Sequence, residues 1–227
     1  MGTYAIMSYI ASYPNIRINF KEPLEIDEII ANNVENDNLN EIVNKVFYKN
    51  NENIGTMSHL RHFIYAKKKN IDIFRILSTF NGQKNLLLRR KNLLKSFLSH
   101  KIALLTNIWM TKKSELQVNI CFNEFKLYCD QTMKEYTDVK KLMLDNNITF
   151  LEIYYENFLL DKQHFFEDIL NFLELKHHNL INANDNIFIK QENRCLRDII
   201  LNYDEIKSRI YSNDLINIKK EWIEESL

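Results

Sequence analysis

At 227 residues the chain is long enough for one well-buried core and slightly short for two. Lys+Arg and Asp+Glu balance at 30 each, so no global field recruits nucleic acid or an anionic membrane, and any anion site has to be local. With only 3 Gly and 2 Pro, the composition argues against a loop-rich β-sandwich and for long helices.

In chain order, Tyr4 to Ala11 reads as a helix, closed by Ser12-Tyr13-Pro14-Asn15, and Ile16 to Phe20 as a short apolar alternation. From Glu25 to about Asn50 two amphipathic helices flank an Asn/Asp-rich break at Asn36-Asp37-Asn38. Asn53 to Ser58 suits a strand, and Asp72 to Phe80 suits a helix started on an Asp cap. Asn81-Gly82 then turns the chain into a strand over Asn85 to Leu88. The helix after Arg90 is expected to bury Leu93, Leu94, Phe97, Leu98, Ile102 and Leu105, with Asn92, Ser96, Ser99 and Ala103 on a narrow small or polar face. A long helix, roughly Leu116 to Asn146, precedes a strand over Ile148 to Tyr154. Apolar spacing at Phe165, Ile169, Phe172 and Leu173 predicts the next helix, and a β-like piece (Ile187 to Ile189) and further helices complete the chain. Strands alternating with long helices imply an α/β, helix-rich single domain over 1–227, with a short parallel sheet flanked by helices.

Three cysteines (Cys121, Cys129, Cys195) form no even disulfide framework and no metal-ligand spacing, and read as buried thiols in a reducing compartment. His59 and His62 lie three apart without a visible third ligand, so no metal is expected. No apolar run approaches the ~18 residues of a membrane span and no signal peptide opens the chain, which points to a cytoplasmic protein without a membrane span.

The chemistry concentrates between Asn85 and Met110. The apolar Leu86-Leu87-Leu88 runs into Arg89 and Arg90, a helical pattern follows, and Ser99 lies nine residues past Arg90. A strand ending in a guanidinium beside a helix that carries a hydroxyl is one way an α/β protein holds a phosphate. Ser99 is about seven residues into that helix, roughly 10 Å along its axis. An extended arginine bridges much of that gap.

The segment RRKNLLKSFLSHKIA resembles the 3′-phosphate-binding segment of the sulfotransferases that use 3′-phosphoadenosine 5′-phosphosulfate (PAPS), and within them the bacterial and viral carbohydrate-type branch. ASYPNIRINFKEPL is similar to the stretch after the first helix of that family, with Tyr13 in place of its usual His. TFLEIYYENFLLDKQHFFEDILNFLEL resembles its strand–Y-E-D-L-L–helix element, and KQENRCLRDIILNYDEI its ending. The four segments fall in family order between Ala11 and Ile206.

The resemblance implies a P-loop-like sulfotransferase fold and transfer of a sulfuryl group from PAPS, as donor substrate, to a hydroxyl of a carbohydrate or glycoconjugate, with no metal. It implies that Arg90 and Ser99 grip the donor 3′-phosphate, that Lys190 contributes to the nucleotide site, and that Glu22 of Lys21-Glu22-Pro23 is the base. Arg89 is a weaker candidate, and Lys21 stands where the family has glycine. Gly2, Thr3 and Tyr4 fall where the second half of the phosphosulfate loop belongs; the loop's basic residue and preceding strand have no counterpart, as in a truncated or variant member. A degenerate relative that binds nucleotide or a partner without transfer is the alternative, and a nucleotide-dependent phosphoryl transferase the second, although no G-x-x-x-x-G-K-[ST] is present. Tyr154, Tyr155 and Glu156 read as structural residues at a strand-to-helix junction.

Overall fold

Residues 2–11, 16–19, 53–56, 83–107, 115–175 and 195–212 are described by a computed structural model of the chain. The helices expected within 25–50 and over Asp72 to Phe80, and the β-like piece at Ile187 to Ile189, lie outside the described residues.

Short apolar runs become parallel strands. β1 (Ile16–Asn19) pairs with β2 (Asn53–Thr56), placing Ile16 opposite Asn53. β3 (Asn85–Arg89) pairs with β4 (Phe150–Tyr154), placing Leu87 opposite Glu152 and Arg89 opposite Tyr154. Parallel neighbours need a crossover. For β3 and β4 it contains the helices α2 (Leu93–Thr106) and α3 (Phe122–Asp145). The expectation of a helix-rich α/β chain with a short parallel sheet is met at this level.

The β3–β4 sheet is covered on both sides, which is why β3 is a continuous leucine run and not an alternation. On one face Leu86, Leu88, Leu151 and Ile153 meet Ile6, Tyr9 and Ile10 of α1 (Gly2–Ala11). The same cluster takes in Phe165, Phe166, Ile169 and Leu170 of α5 (Lys162–Leu173), which follows the short α4 (Tyr155–Leu160). Tyr9 stacks on Phe166 there. On the other face Arg89 and Glu152 meet Met133, Tyr136 and Lys140 of α3.

A second cluster forms beyond the sheet. The apolar stripe of α3 falls at Phe122, Phe125, Cys129, Tyr136, Val139 and Met143, a spacing of three and four that keeps one face inward. Its first half packs with Leu94, Phe97 and Leu98 of α2 and with α6 (Leu196–Ile199) and α7 (Tyr203–Tyr211). Burying each such large apolar side chain contributes about 1.5–3 kcal/mol.

Three sequence expectations are corrected here. The long helix starts at Phe122 and not near Leu116. Residues 115–121 run extended beside the C-terminal segment, where Val118 bridges Ile200 in parallel and Asn202 exchanges hydrogen bonds with both Ile120 N and Ile120 O at 2.9 Å. In α2, Leu105 is 61% exposed while Ala103 is buried; Leu105 shares the face of Leu94 and Leu98, so it is the packing at the helix end and not the facing that differs from expectation. Finally, only Cys129 of the three cysteines is buried; Cys121 and Cys195 are exposed.

Candidate anion site

The C-terminal ends of parallel strands are where open α/β sheets present ligands. Here β3 delivers Arg89, Arg90 and Lys91, and β4 delivers Tyr154 and Tyr155. The two arginines part company at once, Arg89 as the last residue of β3 and Arg90 as the first beyond it.

Arg89 is absorbed into the structure. Its Nη1 is 3.5 Å from Glu152 Oε1, its Nη2 donates to Met133 Sδ at 3.0 Å, and its guanidinium covers the Tyr136 ring at 4.4 Å. Lys140 Nζ donates to Glu152 Oε2 at 2.6 Å and Tyr154 donates its hydroxyl proton to Oε1 at 2.7 Å. Burial alone would raise the Glu152 carboxyl, but the Lys140 and Tyr154 hydrogen bonds and the Lys140 and Arg89 charges more than offset it and hold it below the usual carboxylate range. Tyr154 is raised in turn, by burial first and then by its hydrogen bond to Glu152. Burial and the Glu152 charge likewise push the Tyr136 phenol up.

Arg90 has a different setting. It is half-buried, its guanidinium lies over the Tyr155 ring at 4.5 Å, and it pairs with no carboxylate among the described residues. A face-on aromatic contact orients the fork at a gain of about 0.5–2 kcal/mol and leaves its N–H groups available in the plane. Ser99 sits in α2, half-buried, and its hydroxyl makes no hydrogen bond among the described residues. Ser96, one turn back, is engaged instead with the Tyr128 hydroxyl at 2.8 Å. His100 is exposed and stacks on Tyr128.

The approach to α2 and part of its first turn are already satisfied. Asn92 is its N-cap, with Oδ1 accepting from Lys95 N at 2.8 Å. Glu156, at the beginning of α4, accepts from Lys91 N at 2.9 Å and from Asn92 N at 3.1 Å. Tyr154, Tyr155 and Glu156 lie at the strand-to-helix junction as expected, and Glu156 does more there than the sequence suggests. Its partners lie more than sixty residues away in sequence, so no local pattern announces it.

Gly2, Thr3 and Tyr4 form the first turn of α1, whose later residues pack on β4 and α5. Their amides are those that lack an intrahelical acceptor. Glu22 and Lys190 lie outside the described residues. Thus Arg90 and Ser99 share one strand–helix unit, and Gly2 to Tyr4 belong to a separate element on the same sheet. Among the described residues no cluster of three His, Cys, Asp or Glu could hold a metal ion. None of their helices is long and apolar enough to cross a membrane. Compared with known proteins, the chain matches no family model, no curated protein and no solved structure.

Proposed function

We propose that this chain binds a 3′-phosphorylated adenine nucleotide through Arg90 and Ser99 and is a PAPS-dependent sulfotransferase acting on a hydroxyl of a carbohydrate or glycoconjugate. The observation that carries the reading is the contrast between the arginines: Arg89 is neutralised by Glu152, whereas Arg90 is held by Tyr155 without an acidic partner among the described residues. A guanidinium kept oriented and unpaired at a strand end suits a phosphate. The ordered resemblance of four segments supplies the nucleotide and the reaction.

In that reaction the acceptor oxygen attacks the sulfur of PAPS and forms the new O–S bond. The S–O bond to the 5′-phosphate breaks, and adenosine 3′,5′-bisphosphate leaves with the bonding electron pair. Glu22 takes the acceptor proton, Lys190 adds a cation to the nucleotide site, and the first-turn amides of Gly2, Thr3 and Tyr4 face the 5′ end of the donor. The P-loop-like sulfotransferase fold and a cytoplasmic location belong to the same proposal.

Adenosine 3′,5′-bisphosphate at millimolar concentration is expected to raise the melting temperature, and Arg90→Ala or Ser99→Ala to abolish the rise. An unshifted wild-type melt would sink the reading. Glu22→Gln is expected to keep nucleotide binding while losing sulfuryl transfer; joint loss of both would make Glu22 structural.

A further inference from the structure

We infer that Glu156 is the positioning residue of this anion seat. Its carboxyl fixes the Arg90–Asn92 turn, and with it the direction from which the Arg90 side chain meets the phosphate. The inference rests on the nucleotide-site reading above.

Glu156 is only 7% exposed, and each of its oxygens is committed to one of two consecutive backbone amides, Lys91 N and Asn92 N. A buried carboxylate is costly unless such partners compensate it. Here the compensation joins two neighbouring strand ends: Glu156, two residues past β4, grips the residues after β3. The residues flanking Glu156 reinforce the grip. Tyr155 lies under the Arg90 guanidinium, Lys91 Nζ lies over the Tyr154 ring at 4.9 Å, and Lys91 Nζ reaches Asn157 Oδ1 at 3.3 Å. Residues 154–157 therefore act as a template for residues 90–92.

This arrangement also decides what kind of anion site is possible. A helix N-terminus ordinarily attracts phosphate through its amides and dipole. At α2 an internal carboxyl holds the two amides that lead into the helix, and the Asn92 side chain holds the Lys95 amide. The Leu93 and Leu94 amides of the first turn have no such partner among the described residues, so the seat can join them to the Arg90 side chain. Arg90 follows directly on β3, and its backbone carbonyl is bonded to the very nitrogen that Glu156 holds, so the Glu156 hydrogen bonds set the direction from which the guanidinium departs. Glu156 itself touches no ligand.

The test compares dissociation constants for adenosine 3′,5′-bisphosphate and adenosine 5′-monophosphate, measured by calorimetry well below the melting temperature. Wild type, Glu156→Gln and Glu156→Ala are the proteins used. Glu156→Gln keeps one acceptor and is expected to weaken the 3′-phosphorylated ligand about tenfold, near the worth of one hydrogen bond to a charged group. Glu156→Ala is expected to weaken it further. The ligand without a 3′-phosphate should bind all three proteins alike. If Glu156→Ala does not fold, the isosteric Glu156→Gln carries the test alone. Wild-type affinity in Glu156→Gln, or an equal loss for both ligands, overturns the positioning role. Failure of wild type to bind the bisphosphate removes the nucleotide reading, and this inference with it.

Discussion

Burial pushes the Cys129 thiol up to about 12, and the neighbouring Asp130 charge acts in the same direction. Only a thiolate is a competent nucleophile, so Cys129 is inert while the chain is folded. Cys121 and Cys195 are exposed, although the Cys195 thiol donates to Asp198 Oδ2 at 2.9 Å. Iodoacetamide at neutral pH is therefore expected to label two of the three cysteines in the native protein and all three in denaturant. Mass spectrometry that finds Cys129 alkylated without denaturant would contradict the buried stripe of α3. The residue scale also shows the limit of reading side chains from neighbours in sequence. Arg89 and Arg90 are indistinguishable as letters, yet the end of β3 falls between them, and one meets Glu152 while the other meets Tyr155.

At the scale of elements, much of the order was legible. The leucine run after Asn81-Gly82 gave β3, its apolar partner gave β4, and three-and-four spacing gave α1, α2, α3 and α5. The start of α3 was misread for a physical reason. Leu116, Val118, Ile120 and Phe122 alternate at a period of two, a strand-like signal absorbed into the helical stripe that begins at Phe122. What pairs with that extended segment, Ile200 and Asn202, lies about eighty residues on and leaves no local trace. The anion site divides the same way. Arg90 and Ser99 could be picked out from one strand–helix unit, but the groups that hold Arg90 come from the far strand.

Caps are local and so make separable tests. The Asp161 side chain accepts from His164 N at 3.0 Å and starts α5, which carries Phe165, Phe166, Ile169 and Leu170 into the core. Asp161→Ala is expected to cost about 1 kcal/mol and to lower the melting temperature by roughly 2–4 °C, without altering nucleotide affinity. A melt unchanged within error would mean that the cap contributes nothing.

For the molecule as a whole, one network contributes to the pH limits of stability on both sides. Glu152 is held below its unfolded value, so its contribution is present above the ordinary carboxylate range and is lost as pH falls through its folded pKa. Tyr136 and Tyr154 are raised above theirs. Their contribution is intact below the usual tyrosine range and declines as pH rises above about 10. Urea midpoints against pH are expected to form a plateau with an acid and an alkaline limb. Glu152→Gln should flatten the acid limb and, by removing a cause of both tyrosine shifts, shallow the alkaline one. Parallel limbs in variant and wild type would place the titrating groups elsewhere.

The pairing of β3 with β4 has a consequence for how the chain is made. Arg89 and Phe150 bound an interval of about sixty residues that must be translated before β3 can find its partner. At roughly 5–20 residues per second that takes about 3–12 s. Once it has left the ribosome, the Leu86-Leu87-Leu88 run waits for that partner with its strand edge unpaired. The leucine run that leads into Arg90 is, during synthesis, an apolar segment that a chaperone would have reason to hold.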